Sequence, residues 1–224
     1  NAAYIQKQND IYGILMDAIH AEIKQFSIGF ERLQEIWSIV KGIVWVVKNN
    51  WQNPDKGIWE FRSEDLHFTF SKVLCWVAID RAIKIAELLD KNEAAKKWEP
   101  LKKQIKDDIE NKAWNEDIQA YTQSYGSKHL DASVLLIEQY GFISPNESRF
   151  ISTVNAIEKE LAHEGLLYRY KNHDDFGLPS SSFTVCTFWF INSLIKIGEV
   201  DKAKTYFDNL LSYGNHLQLF SEDI

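Results

Sequence analysis

The sequence predicts an all-α fold, a toroid of helical hairpins, on three observations. Apolar residues recur with helical spacing over most of the chain. Strongly apolar helical segments alternate with more polar ones, as an inner and an outer ring of helices would require. Strand-like alternation is brief, and the whole chain holds only 4 prolines. Because no repeat of fixed length is visible, a regular solenoid is less favoured.

Helical spacing marks eight segments in order. The first two carry their apolar residues over 11–19 and 33–47. The third, about 68–89, is apolar on most of its circumference, which predicts an inner helix. The fourth, about 93–114, has one narrow apolar stripe between lysines and aspartates and is predicted to be an outer helix. The other four segments cover about 131–140, 147–162, 183–197 and 200–211.

The composition excludes several classes of protein. The 224 residues include 25 basic and 32 acidic side chains, a net charge of −7, and 45% of them are apolar. Nucleic-acid binding relies on clustered positive charge, so we expect no nucleic-acid partner. No apolar run reaches the roughly 20 residues that cross a bilayer, so we expect no membrane partner. Cys75 and Cys186 lie far apart in apolar segments, which favours buried thiols over a disulfide.

Four loops between the predicted helices are rich in aromatic rings, carboxylates, amides and arginine. Aromatic rings stack on the C–H faces of sugars, while carboxylates and amides bond their hydroxyl groups. Loops that carry both kinds of side chain therefore suggest a carbohydrate-binding face. These loops cover residues 51–65, 121–131, 168–179 and 215–223.

Glu60 and Glu222 are the candidate acid and base. Glu60 stands between Trp59 and Phe61, and a carboxyl group held against rings loses water, which favours the protonated form that a general acid needs. From its segment alone, a capping glutamate or one paired with Arg62 is the more common interpretation. Glu222, on a second loop, could activate water, although in isolation an acidic chain end is the safer interpretation.

Other polar residues have less specific interpretations. Asp174 and Asp175 could bind calcium or sugar hydroxyls, but solvation in a loop is more common for such a pair. Asp131 opens a helix and is best explained as its cap. The six histidines lack the spacing of a zinc site, and no nucleotide-binding or serine-nucleophile motif is present. We therefore expect no metal and no cofactor.

Taken together, an ordered series of motifs along the whole chain resembles family 15 of the glycoside hydrolases, the glucoamylase-like enzymes. The early motifs include Gln8 with Asp10, Gly57-Ile58-Trp59-Glu60 with Arg62, His67-Phe68-Thr69, and Asp80-Arg81-Ala82. The later ones are Leu130-Asp131-Ala132-Ser133, Tyr168-Arg169-Tyr170, Asp174-Asp175-Phe176-Gly177, Cys186-Thr187-Phe188-Trp189 and Leu219-Phe220-Ser221-Glu222-Asp223.

The resemblance implies an (α/α)6 barrel of twelve helices and hydrolysis of α-glucosidic ends with inversion. Its substrates would be dextrins, isomaltose-type glucans or trehalose. By motif, Glu60 matches the general acid and Glu222 the general base, with the two carboxyl groups ~6.5–9.5 Å apart. Arg169 matches the arginine that holds sugar hydroxyls, and Trp59 and Arg62 belong to the same pocket wall.

The chain departs from the family pattern at three places. Gln218 stands where glycine is common, and residues 179–183 follow a shorter variant of their loop. The upstream Trp-x-Arg-Asp segment that grips glucose is absent. About eight of twelve helices are present, so we interpret residues 1–224 as one incomplete (α/α)6 catalytic domain.

An incomplete barrel leads to further expectations. Apolar surface on the helices at about 73–83 and 183–197 should be partly uncovered. The chain by itself should be inactive, and it should either self-associate through its open edge or be a fragment of a larger protein. The absence of a visible secretion signal favours a cytoplasmic location.

Two other functions stay open from the sequence. One is a non-catalytic carbohydrate-binding or regulatory module with the same helical fold. The other is a helical-repeat interaction scaffold, which would bind no sugar.

Overall fold

Eight α-helices are present in residues 6–175 and 177–224, the parts of the chain that the computed structural model describes. The all-α prediction is therefore confirmed. The chain divides into two compact units, Asn1–Asn111 and Lys112–Ile224. The helices are α1 (Ile11–Gln25), α2 (Phe30–Asn50), α3 (Thr69–Leu88), α4 (Asn92–Lys112), α5 (Leu136–Gln139), α6 (Ser148–Leu161), α7 (Thr184–Lys196) and α8 (Val200–Leu211).

The helix predicted at about 131–140 is the main difference in secondary structure. It consists of a 3₁₀ turn, Ala132–Leu135, followed by the short helix α5. The described residues also form two small antiparallel hairpins, with two residues in each strand. Strands of this length show no alternation that a sequence pattern could reveal. They are β1 (Trp114–Asn115) with β2 (Ala120–Tyr121), and β3 (Ala162–His163) with β4 (Leu166–Leu167).

Helix α3 forms the core of the first unit. Of its 20 residues, all but Lys84, Glu87 and Leu88 are buried. The prediction of an inner helix is confirmed, whereas the expectation that its apolar surface is partly uncovered is wrong. Helix α4 buries only a few residues of its length, such as Ile105 and Ile109, as an outer helix should.

Gly13 lets α1 approach α3 closely. A Cβ atom at this position would lie 2.3 Å from the carbonyl oxygen of Leu74, too near for any side chain. The thiol of Cys75, next along α3, lies 3.8 Å from the carbonyl oxygen of Asn9. The start of α1 is therefore held against the middle of α3.

A cluster of charged side chains joins α1 to the C-terminal half of α3. Arg81 donates from Nε to Asp17 at 2.6 Å and from Nη1 to Asp80 at 2.6 Å. Lys84 lies 2.7 Å from the same Asp80 carboxylate, and Lys102 of α4 lies 3.8 Å from it. Because Asp80 and Arg81 are buried, these partners compensate for the water that both charges lose.

The second unit packs α7 against α8 and α6. The Phe190 ring meets the Tyr206 ring edge-on at 4.9 Å. Glu158 of α6 accepts hydrogen bonds from Lys202 at 2.9 Å and from the Tyr206 hydroxyl at 3.3 Å.

Cys186 of α7 and Cys75 of the first unit are both buried free thiols, as predicted.

Apolar side chains remain exposed on several helices. On α1, Ile11, Ile14 and Leu15 are each more than two-fifths exposed and share one helix face. On α7, Val185 and Ile195 are exposed as well, which agrees with the partly uncovered surface expected there. No helix within the described residues is both long and apolar enough to span a membrane.

Candidate functional site

Glu60 lies in a loop between α2 and α3 that its own backbone closes. Asp55 and Leu66 exchange two main-chain hydrogen bonds, of 2.9 and 3.0 Å. Inside the loop, the Lys56 ammonium donates to the carbonyl oxygen of Ser63 at 2.5 Å and lies 2.6 Å from Asp65. The loop that carries Glu60 is therefore held where it begins and ends, at Asp55 and Leu66, and also within the loop, through Lys56.

A tight turn at Gly57 presents Glu60. The amide of Glu60 donates to the carbonyl oxygen of Gly57 at 3.2 Å. Gly57 has φ +65°, and a Cβ there would lie 2.9 Å from the Phe68 ring. Phe61 stacks on that same ring at 5.2 Å. Only glycine fits this turn without moving the aromatic pair beneath it.

Glu60 is exposed and has a backbone φ of +55°, in the left-handed region that side chains rarely adopt. The expectation that Trp59 and Phe61 enclose its carboxyl group is wrong here, because Phe61 turns inward onto Phe68. Trp59 is half-buried and Arg62 is exposed. An unusual φ held by surrounding hydrogen bonds is frequent where a side chain must be aimed at a ligand.

Two buried carboxyl groups lie near Glu60, and neither is predicted as a site residue from the sequence. Asp10 is 4% exposed and Asp55 is 1% exposed. Asp55 accepts a hydrogen bond from the Asn9 amide at 2.8 Å. Burial, together with the Asp55 charge and to a smaller extent that of Glu60, raises the pKa of Asp10 to about 6.

Lys72 of α3 supplies a buried positive charge beside these carboxyl groups. Its ammonium donates to the carbonyl oxygens of Trp51 at 2.5 Å and Asn53 at 2.6 Å. Burial raises the pKa of Asp55, and the nearby Lys72 charge opposes that rise. We refer to Asp10, Asp55 and Lys72 as the buried polar cluster.

A cavity of about 610 Å³ opens beside this cluster in the first unit. Its walls combine amide, carboxyl, ammonium and phenol groups with apolar side chains, a mixture that suits a hydroxyl-rich ligand. The polar residues of its lining are Gln6, Lys7, Gln8, Asn9, Asp10, Tyr12 and Asn50.

Arg169 occupies a defined position in the second unit, just after β4. Its carbonyl oxygen accepts from the Ala132 amide at 2.9 Å. Its guanidinium carbon lies 5.2 Å from the centre of the Tyr170 ring and 5.9 Å from that of Phe183. Asp174 lies 3.7 Å from its Nη2 atom. Two rings and a carboxylate therefore restrict the guanidinium to one region.

The structure separates the adjacent residues Asp174 and Asp175. The side chain of Asp174 is 7% exposed and accepts a hydrogen bond of 2.7 Å from the Tyr170 hydroxyl. Loop solvation, the more common interpretation, is wrong for Asp174, whereas Asp175 is exposed. Asp131 caps the 3₁₀ turn as predicted, since it accepts from the Ser133 amide at 2.7 Å.

Glu222 lies on a segment that pairs with the start of α7. The Thr184 amide donates to the Glu222 carbonyl oxygen at 2.9 Å, and Ser182 and Ile224 exchange hydrogen bonds of 2.9 and 3.0 Å. The Glu222 side chain is exposed. The next residue, Asp223, accepts from the Ser181 hydroxyl at 3.1 Å.

A second cavity, of about 180 Å³, lies within the second unit. Arg169, Asp174, Ser181, Phe183 and Asp223 are among its lining residues. The structure therefore brings the Arg169 segment and the residue after Glu222 to one cavity. In the first unit it brings Trp59, Glu60 and Arg62 onto one loop.

Gln218, where the family pattern favours glycine, has φ +61°. Its amide donates to the carbonyl oxygen of Asn215 at 2.9 Å, and the Leu219 carbonyl oxygen accepts from the Asn215 amide at 2.9 Å. The left-handed backbone of this closed loop is the physical reason why glycine suits the position.

Comparison with known proteins identifies the family. Residues 1–221 match the family model described as glycosyl hydrolases family 15. The whole chain is 40% identical over 229 residues to a trehalase of Mycobacterium tuberculosis and 36% identical over 225 residues to a trehalase of Thermoplasma volcanium. It spans 33% and 36%, respectively, of the lengths of these curated relatives.

Solved structures show the same fold. A glycosidase variant in complex with glucose matches with a TM-score of 0.82 at 13% identity, over 99% of this chain and 57% of that one. A bacterial glucoamylase complexed with acarbose matches with a TM-score of 0.69 at 15% identity, over 87% of this chain and 34% of that one. Both likenesses indicate the glucoamylase-like (α/α)6 barrel fold. The chain belongs to family 15 of the glycosyl hydrolases.

Proposed function

We propose that the complete protein is a glycoside hydrolase that releases glucose from α-glucosidic substrates with inversion, and that trehalose is its first substrate to test. The observation that carries this proposal is the placement of Glu60 and Glu222. Each presents an exposed carboxyl side chain from a backbone segment fixed by hydrogen bonds. The trehalase relatives support the choice of sugar, because the names of both include that activity.

Glu60 is the proposed general acid, which protonates the oxygen of the leaving sugar. Glu222 is the proposed general base, which removes a proton from the attacking water on the opposite face of the sugar ring. An inverting mechanism needs ~6.5–9.5 Å between the two carboxyl groups to hold that water. Because the water attacks from the face opposite the leaving group, an α-glucoside releases β-glucose.

Arg169 and the pocket wall around Glu60 are the proposed sugar-binding groups. The guanidinium of Arg169 lies at a cavity wall with Asp174, and its fixed donors suit pairs of sugar hydroxyls. Trp59 is half-buried beside Glu60 and supplies a flat apolar face for a sugar ring. Arg62, exposed on the same loop, is proposed to donate hydrogen bonds to the substrate.

The chain itself is proposed to be an incomplete part of the barrel, inactive alone. The exposed face of Ile11, Ile14 and Leu15 on α1 supports this, since soluble monomers rarely leave such faces uncovered. We propose that the isolated chain self-associates through it. Light scattering on the isolated chain measures its mass, and glucose assays on trehalose, maltose and isomaltose measure its activity. A monomer that releases glucose efficiently would contradict both parts.

The function is tested on the full-length protein. Glucose release is measured with trehalose, maltose and isomaltose, and proton NMR of the first product determines its anomer. Glu60→Gln and Glu222→Gln should each lower kcat by about a thousandfold or more while substrate binding is retained. Glu64→Gln, on the same loop as Glu60 and exposed, is the matched control.

Three outcomes would contradict specific parts of the proposal. Release of α-glucose first would exclude inversion. Turnover close to wild type in a variant would remove that glutamate from its role. Sugar binding without glucose release, in the wild-type protein, would favour the non-catalytic binding module instead.

A further inference from the structure

The first turn of α7 contacts both functional segments of the second unit. Thr184 bonds to the segment that carries Glu222, and Thr187 bonds to the segment that leads into Arg169. The two threonines are three residues apart in one helix, so they lie on neighbouring parts of one helix face. This single turn therefore connects the candidate base to the candidate sugar-binding arginine.

Thr184 holds the Glu222 segment through two hydrogen bonds. Its amide donates to the carbonyl oxygen of Glu222 at 2.9 Å, and its hydroxyl donates to the carbonyl oxygen of Ser221 at 2.7 Å. Thr184 is 6% exposed. The bond to Ser221 is partly buried, and removing the hydroxyl leaves the Ser221 carbonyl oxygen without this donor.

Thr187 holds the other segment in the same manner. Its hydroxyl oxygen accepts a hydrogen bond of 3.0 Å from the amide of Leu167, and its side chain is fully buried. The carbonyl oxygen of Leu167 in turn accepts from the Phe183 amide at 2.9 Å. Leu167 is the last residue of β4 and lies two residues before Arg169. Anchoring Leu167 therefore fixes the position from which the chain leads to Arg169.

The start of a helix makes Thr184 available for this role. The first amides of a helix have no partner within it, and Thr184 has no helical carbonyl four residues earlier to accept from its hydroxyl. Phe183, at the cap position of α7, makes no side-chain cap. The Glu222 carbonyl oxygen therefore takes the place of a cap. The segment that carries Glu222 thus accepts the first amide hydrogen bond of α7.

We propose that Thr184 and Thr187 are positioning residues with separate effects, Thr184 on turnover through Glu222 and Thr187 on substrate binding through Arg169. This inference rests on the proposed function. A displaced base slows the chemical step, since small displacements of a catalytic group cost large factors in rate. A displaced arginine weakens binding of the ground state and the transition state together, which raises KM and spares kcat.

The test compares isosteric variants in the full-length protein with trehalose or its best glucoside substrate. Thr184→Val should lower kcat about tenfold with KM within about twofold of wild type. Thr187→Val should raise KM about tenfold with kcat within about twofold. Thr184→Ser, which keeps the hydroxyl, should restore most of kcat. Thr184→Val loses a partly buried hydrogen bond and Thr187→Val a buried one, so loss of stability alone should change the kinetics of both variants in the same direction.

A second variant covers the case in which Thr184→Val does not fold. Ser181→Ala removes the exposed 3.1 Å contact with Asp223 at the edge of the same pairing. It should lower kcat severalfold. Equal changes of kcat and KM in the two valine variants would overturn the proposal, as would wild-type kcat in both Thr184→Val and Ser181→Ala.

Glucose release by the wild-type protein and by Glu222→Gln distinguishes failure of this inference from failure of the proposed function. If the wild type releases glucose, Glu222→Gln does not, and the threonine variants behave as wild type, then only the positioning role fails. If the wild type releases no glucose from any of the three disaccharides, the proposed function fails and this inference fails with it.

Discussion

Tyr170 and Asp174 form a hydrogen bond of 2.7 Å between the phenol oxygen and the carboxylate. Burial, and then this bond, raise the pKa of Tyr170 above its ordinary value. The phenol therefore stays protonated over the working pH range of most enzymes and always donates. Because Arg169 packs on the Tyr170 ring and lies near Asp174, this pair fixes the surroundings of the guanidinium.

Tyr170→Phe should destabilise the protein by about 1–2 kcal/mol, since the nearly buried Asp174 carboxylate loses a donor. The free energy of unfolding in urea measures the effect. Tyr213→Phe, at an exposed position on the same unit, is the matched control and should change little. Equal effects of the two variants would show that the Tyr170 hydroxyl contributes nothing.

The pKa of Asp10 predicts how stability depends on pH. This pKa is raised from 3.8 to about 6, and that of Asp55 is raised as well. Between about pH 4 and 6 the folded protein thus binds more protons at these sites than the unfolded chain. Their contribution to stability is largest below pH 4 and declines as pH rises through 6.

The side chain that Asp10→Asn introduces is neutral at every pH. This variant should therefore lack the part of the decline in stability that comes from Asp10. At pH 7 the variant should be more stable than wild type by at most about 3 kcal/mol. Urea unfolding at pH 4, 5, 6 and 7 measures the two profiles. Parallel profiles would show that Asp10 carries no unfavourable charge in the folded protein.

We expect the two lysines of α3, Lys72 and Lys84, to contribute unequally to stability. Lys72→Met leaves the buried carbonyl oxygen of Trp51 and the partly buried one of Asn53 without this donor and removes the positive charge near Asp55. The expected loss of stability is about 3–5 kcal/mol. Lys84→Met, whose half-exposed side chain pairs with Asp80, should cost less than about 1 kcal/mol. Thermal unfolding of both variants compares them, and similar losses would refute the importance of the buried ammonium.

The left-handed backbone of Gln218 predicts that glycine is preferred there. Gln218→Gly should be more stable than Gln218→Ala by about 1 kcal/mol, because alanine retains the unfavourable contact of Cβ at φ +61°. Urea unfolding of the two variants measures the difference. If alanine were the more stable, the loop would have another conformation in solution.

Much of the fold could be predicted from the chain because helical periodicity is a local signal. Helix α3 is apolar nearly all round and is buried as predicted, and α4 shows a narrow stripe and lies outside. The segment around Asp131 was harder, since a 3₁₀ turn and one turn of α-helix share the same apolar spacing. The two-residue strands are too short to leave a pattern.

The surroundings of the candidate site were less predictable because they depend on contacts between distant residues. Asp10 and Asp55 are 45 positions apart, and nothing in their spacing indicates a buried pair. Solvation is the more common interpretation of the adjacent pair Asp174 and Asp175, and no local pattern reveals that the Tyr170 hydroxyl bonds to Asp174. Glu60 was expected against aromatic rings, but the orientation of Phe61 is set by Phe68, which a local pattern does not reveal.

The pairing between Thr184 and the Glu222 segment also has a consequence for folding order. These residues are some 37 positions apart, and α7 and α8 lie between them. We expect the ends of that stretch to meet only after both helices have formed and packed, since closing a long loop costs entropy that later contacts must offset. The proposed base should then be among the last groups of its unit to reach its place. A protein stalled before that step would show native-like helix content and no turnover, so helix content alone is a poor measure of active protein in refolding experiments.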